Sequence, residues 1–120
     1  MKNELIKRTK QFAIDTWRFC AKMPKSREFN AYVNQLIRSS SSVGANYRAA
    51  QRAKSTADFI NKLKIVEEEV DESMYWLELF EEIQNKNIEE IIKLKSESRE
   101  LLAIIVASIN TAKNNQRKKK

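Results

Sequence analysis

Residues 35–79 read QLIRSSSSVGANYRAAQRAKSTADFINKLKIVEEEVDESMYWLEL. Within this stretch a run of small residues gives way to a basic patch and then to an acidic, amphipathic segment. Phe59, Leu63, Val66, Val70, Met74 and Leu77 return every three or four positions, which stacks them on one face of a helix. Ser55-Thr56-Ala57-Asp58 in front of that run matches an N-terminal capping pattern, with Asp58 further favoured by the helix dipole. On the N-terminal side, Phe29, Tyr32, Val33, Leu36, Ile37, Val43 and Tyr47 form a second helical stripe behind Ser26, a candidate cap. The middle of this helix, Ser39-Ser40-Ser41-Ser42-Val43-Gly44-Ala45, is a poor helix former in isolation. Its small side chains would let a neighbouring helix come unusually close; a break near Gly44 is the alternative.

Outward from this pair the pattern repeats twice. Leu5, Thr9, Phe12, Thr16, Phe19 and Met23 predict a first helix from Asn3 to about Lys22, with Ile6, Ala13 and Trp17 widening its apolar face. Pro24 ends it, because proline cannot continue the hydrogen-bond ladder. Asn87 with Glu90 repeats the capping pattern, and Ile91, Ser98, Leu102, Ile105, Ile109 and Ala112 carry a fourth helix. One Gly and one Pro in 120 residues leave few places for sharp turns, and helix formers dominate. The reading is all-α: an antiparallel up-down four-helix bundle over residues 1–112, followed by a basic, frayed tail over 113–120.

The composition removes several kinds of chemistry. With no His there is no Ser-His or Cys-His pair and no Glu-x-x-His ligand pattern. The lone Cys20 reads as a small apolar residue in a reducing compartment. Lys2, Glu4, Lys7, Arg8 and Lys10 open the chain without a continuous apolar run behind them, unlike a secretory signal, and the longest apolar run is far too short to span a bilayer. The expectation is a cytoplasmic protein with no enzymatic activity, no metal and no cofactor.

The net charge of +7 hides a split. Residues 1–54 hold twelve Lys/Arg against three Asp/Glu, residues 55–112 six against thirteen, and residues 113–120 five against none. Such asymmetry points to a polyanionic partner, to self-association between unlike surfaces, or to both. Arg38, Arg48, Arg52 and Lys54 near the end of the second helix are the candidate phosphate contacts, since attraction to phosphate needs clustered Lys or Arg and no sequence code. Ordinary solvated charge is the competing reading. Lys113, Arg117 and Lys118, with Lys119 and Lys120, extend the basic set or simply solubilise the end. Glu67 to Glu72 splay around their helix at about 100° per residue, which suits an acidic face and not a metal site. Ile65, Trp76, Leu79 and Ile83 form a second stripe on the third helix, either a widened core or a subunit interface.

The motifs Arg38–Asn46 (RSSSSVGAN), Ala49-Ala50-Gln51, Ser55-x-x-Asp58-Phe59-Ile60-x-Lys62-Leu63 and Glu72-Ser73-x-Tyr75-Trp76-Leu77 resemble the bacterial four helix bundle protein family. That family is named for open reading frames in intervening sequences of 23S ribosomal RNA genes. The resemblance implies a bundle that assembles as a ring-like homopentamer. It also implies kinship with the accessory variability protein of diversity-generating retroelements, a basic barrel that binds nucleic acid and a reverse transcriptase. Two departures from the family pattern stand out: Tyr47-Arg48-Ala49 replaces an acidic position with positive charge, and Glu67-Glu68-Glu69-Val70-Asp71-Glu72 adds negative charge to the third helix. The function read from all this is an oligomeric scaffold that contacts RNA or DNA without strong sequence preference, with a reverse transcriptase as a further partner. The alternative is a protein-interaction scaffold whose charge split serves self-assembly only.

Overall fold

The computed structural model describes residues 2–118. Four helices follow one another with short corners: α1 (Lys2–Ala21), α2 (Arg27–Ala50), α3 (Thr56–Ile83) and α4 (Ile88–Lys118). Each packs antiparallel to the next, α1 on α2, α2 on α3 and α3 on α4, and α1 closes more lightly on α4. The result is an up-down bundle with Cα extents of 54 × 21 × 21 Å.

The corners form without glycine. At the end of α1, the Lys22 and Met23 N–H groups donate to the Phe19 and Cys20 carbonyls at 3.0 and 3.1 Å, tightening the last turn before Pro24. Ser26 then caps α2, its Oγ accepting from the Phe29 N–H at 3.1 Å. The α2–α3 corner repeats the device, with Gln51, Arg52 and Ala53 each donating to the carbonyl three residues back. Ser55 caps α3 by accepting from the Asp58 N–H at 3.1 Å, and the Asp58 carboxylate reaches back to the Lys54 N–H at 3.1 Å. The Lys62 ammonium, and after it the Lys54 N–H, hold the Asp58 carboxyl below its ordinary pKa. That contribution is present throughout the neutral range and is lost as the pH falls through the lowered value. Asn87 departs from the expected cap: its φ of 60° lies in the left-handed region, which Asn tolerates, so it turns the chain into α4 instead of entering extended.

The core has two textures. Towards the α1–α2 and α3–α4 corners it is aromatic and centred on Phe80, with Phe19 edge-on at 5.6 Å, Phe29 stacked at 6.2 Å and Tyr32 edge-on at 6.3 Å between ring centroids. Midway it becomes small and hydroxylated. Thr9, Thr16, Ser39, Ser40, Ser73 and Ser98 are all buried. Most of these hydroxyls are satisfied by their own helix, Thr9 donating to the Leu5 carbonyl at 2.8 Å and Ser98 to the Leu94 carbonyl at 2.8 Å. Ser73 bridges helices, donating to Ser39 Oγ at 2.9 Å. The polar run in α2 therefore does not interrupt the helix, which continues unbroken through Gly44.

The structure shifts several core assignments. Trp17 does not widen the buried face of α1 but stands 60% exposed. It lies one position past buried Thr16, about 100° round the axis, at the wall of an open groove between α1 and α4. On α3 the buried set includes Ile60, Ser73 and Phe80, whereas Phe59 and Met74 sit at the margin. On α4 it includes Leu94 and Leu101, with Leu102 partly covered. The tail expected to fray at 113 stays helical to Lys118, since Lys, Gln and Arg are good helix formers and cations favour a helix C-terminus. Lys119 and Lys120 lie outside the described residues.

Gly44 faces Thr9 across the seam of α1 and α2. A Cβ built there would lie 3.3 Å from Thr9 Oγ1 and 3.4 Å from the Thr9 carbonyl carbon. Gly44→Leu should therefore prise the two helices apart and destabilise the bundle by about 1–3 kcal/mol, read as a fall in thermal midpoint of roughly 4–12 °C. An unchanged midpoint would show that the seam has slack.

Candidate nucleic-acid interface

The antiparallel topology sorts charge that the linear order scatters. The start of α1, the end of α2, the start of α3 and the end of α4 meet at one pole of the bundle. Taking the outer two turns of each helix and the α2–α3 corner, this pole holds Lys2, Lys7, Arg8, Arg48, Arg52, Lys54, Lys62, Lys113, Arg117 and Lys118. Against these ten cations stand only Glu4 and Asp58, a balance of +8. The opposite pole, counted in the same way, holds six cations and seven carboxylates, a balance of −1.

Two of the ten are engaged locally. Arg8 forms a forked pair with Glu97, Nε at 3.0 Å and Nη2 at 2.6 Å, which raises its pKa further. Lys62 donates to Asp58 at 2.7 Å. The other eight make no ion pair with any described residue, and seven of them are exposed, Lys113 being half-buried.

Of the phosphate contacts proposed from sequence, Arg48, Arg52, Lys54, Lys113, Arg117 and Lys118 come together here. Arg38 does not. It sits three turns from the end of α2 and reaches across to α3, where Glu69 accepts from Nη1 at 3.0 Å and Glu72 accepts from Nη2. Those carboxylates, Glu72 first, raise the Arg38 pKa and engage both of its terminal nitrogens. Lys2 and Lys7 joined the pole unforeseen, because only the fold brings the start of α1 beside the end of α2.

The second α3 stripe divides. Ile65 and Ile83 are 43% and 48% exposed, Ile83 bordering Phe29 and Tyr32 of α2, and Leu79 is partly covered. Trp76 instead leans onto α2, its ring 5.3 Å from Tyr32 and its indole N–H donating to Glu72 at 3.2 Å. Tyr75, 53% exposed beside it, escaped the periodicity argument. Glu69, Glu72 and Glu81 each accept from a cation, Glu81 from Lys95 at 2.8 Å. No group of three metal-ligating side chains gathers among the described residues. Among them, too, no helix is long and apolar enough to cross a membrane.

Along the α1–α4 seam runs a groove of about 690 Å³, lined by Phe12, Trp17 and Leu94 and bordered by the Arg8–Glu97 and Lys22–Glu90 pairs. Cys20 lies on the buried side of α1, and burial pushes its thiol up to about 12.

The family model described as 23S rRNA-intervening sequence protein matches residues 1–107. A crystal structure of a protein with unknown function from the S23 ribosomal protein family of Bacteroides thetaiotaomicron is similar throughout. It has 32% identity and a TM-score of 0.83, and the match covers 92% of this chain and 99% of that one. No curated protein matches.

Buried and so raised, the Cys20 thiol is neither accessible nor a nucleophile at neutral pH. Native protein at pH 8 should leave Cys20 unmodified by a thiol-specific chromogenic reagent, with one equivalent reacting at once in denaturant. Rapid native labelling would show that α1 lifts from its neighbours.

Proposed function

The chain belongs to the 23S rRNA-intervening sequence protein family, and on that footing we propose that it is a nucleic-acid-binding scaffold without enzymatic activity. The observation that carries this reading is the +8 pole, where eight cations have no carboxylate partner among the described residues. Arginine and lysine so arranged gain most from phosphate, because each contact releases condensed counterions. No base-reading motif accompanies them, so binding is tolerant of sequence. Arg38, held by Glu69 and Glu72, tightens the α2–α3 seam and stands outside the binding surface.

Assembly is the second part of the reading. Ile65, Leu79 and Ile83 with Tyr75 give α3 an outer apolar surface that one bundle leaves uncovered, and Trp76 backs it from the α2 side. A homopentamer built on this surface agrees with the resemblance noted from the sequence, which also supplies the reverse transcriptase as a partner. If the apolar surface alone carries the function, the protein is an interaction scaffold and the pole only keeps it dispersed.

Replacing Arg48 and Arg52 together by Glu should weaken RNA binding roughly tenfold or more across unrelated sequences. The dependence of log affinity on log salt should become shallower by about two. Arg38→Ala should leave that slope unchanged. Equal slopes for parent and double variant would remove the pole from the binding surface. Ile65→Asp with Ile83→Asp should give a folded particle of lower mass by light scattering, whereas retention of the parent mass would place the interface elsewhere.

A further inference from the structure

We infer, resting on the nucleic-acid reading above, that the basic pole recognises the paired strands of a duplex through their phosphates and is not a single-strand platform. Three features of the pole lead there.

The first is its lack of exposed rings. Proteins that hold single strands combine a basic track with aromatic side chains on which the unpaired bases stack. Here the pole contributes two aromatic residues, Tyr47 and Phe59. Tyr47 is buried and Phe59 is packed against the core. The aromatic residues most open to solvent, Trp17 and Tyr75, lie 15 and 19 residues into their helices. At about 1.5 Å per residue that sets them roughly 20–30 Å from the pole along the bundle. Phe59 keeps only a partly covered edge beside Lys54, so a strand lying on the pole would find charge but no freely exposed ring on which to stack.

The second is charge density. The bundle is 21 Å across. Over that span a single strand presents about 6 phosphates and a duplex about 12, from one charge per ~3.4 and ~1.7 Å. The eight cations without a local partner outnumber the phosphates that one strand presents over that span, whereas the two strands of a duplex together present more than eight.

The third is their distribution. α2 and α4 do not touch and occupy diagonal corners of the bundle, with α1 and α3 on the other diagonal. Arg48, in the last turn of α2, and Arg117, in the last turn of α4, therefore lie on opposite corners of the pole. A surface 21 Å wide exceeds the ~12 Å of a B-form major groove, so cations on opposite corners meet phosphates of both strands on either side of one groove. Contacts of this kind read neither base edges nor the sugar, so RNA and DNA duplexes share the chemistry.

The test uses the full-length protein and four fluorescent probes: an 18-base-pair duplex in RNA and in DNA, and one unstructured strand of each. Anisotropy titrations at two salt concentrations should show a duplex bound at least tenfold tighter than its strand, with the steeper salt slope. Arg48→Glu and Arg117→Glu should each weaken duplex binding severalfold. Either duplex ahead of its strand supports the inference, and the RNA and DNA arms tell which form is preferred. A strand bound as tightly as its duplex, with salt-sensitive binding of both, overturns the inference and leaves the nucleic-acid reading standing. An effect of only one of the two substitutions overturns the two-strand geometry. Absence of salt-sensitive binding to all four probes removes the nucleic-acid reading and this inference with it.

Discussion

The distance at which α2 can lie between α1 and α3 governs this bundle. Gly44 admits the Thr9 backbone of α1 at van der Waals contact, and Ser39 meets Ser73 of α3 through a hydrogen bond. Both contacts require small side chains, and both fall within the stretch that helix propensity disfavours. The close packing gained along two seams offsets a weak intrinsic preference, much as tertiary contacts generally outweigh propensity in short helices. Moving α2 outward would widen the aromatic end as well, because Phe80 packs simultaneously against Phe19 of α1 and Phe29 and Tyr32 of α2.

The same approach shapes the electrostatics. With α2 pressed on α3, Arg38 reaches Glu69 and Glu72, and Trp76 shares the Glu72 carboxylate. Much of the charge opposition between the two helices is resolved inside one chain, midway along the bundle. The cations beyond that point, at the end of α2, face no comparable carboxylates. Their availability is thus a consequence of where the acidic run stops, between Glu67 and the neutral or basic residues Lys62, Leu63 and Lys64 nearer the pole.

Residue spacing alone carried the four helices, both serine caps and most of the buried stripe. Periodicity failed where a residue lies at the edge of a stripe, as with Trp17, because the width of the buried arc depends on how closely the next helix packs. It also misjudged Asn87, whose cap-like neighbourhood conceals a left-handed turn. For the candidate interface, the clusters at Arg48–Lys54 and Lys113–Lys118 were visible as local runs. That Lys2 and Lys7 share their surface, and that Arg38 is withdrawn from it, depend on which helices are neighbours. Charge counted along the chain cannot express either fact.

The uneven closure of the four seams bears on how the chain reaches this state. Every extensive seam joins helices adjacent in sequence, so three successive helical hairpins account for nearly all of the packing, and only the light α1–α4 contact links the chain's two ends. Loop-closure entropy is therefore small for each step, and such local topology favours rapid folding. The α1–α4 seam, with its groove and two bordering ion pairs, is the one contact that must close a loop of nearly the whole chain, and its opening would leave all three hairpin seams intact.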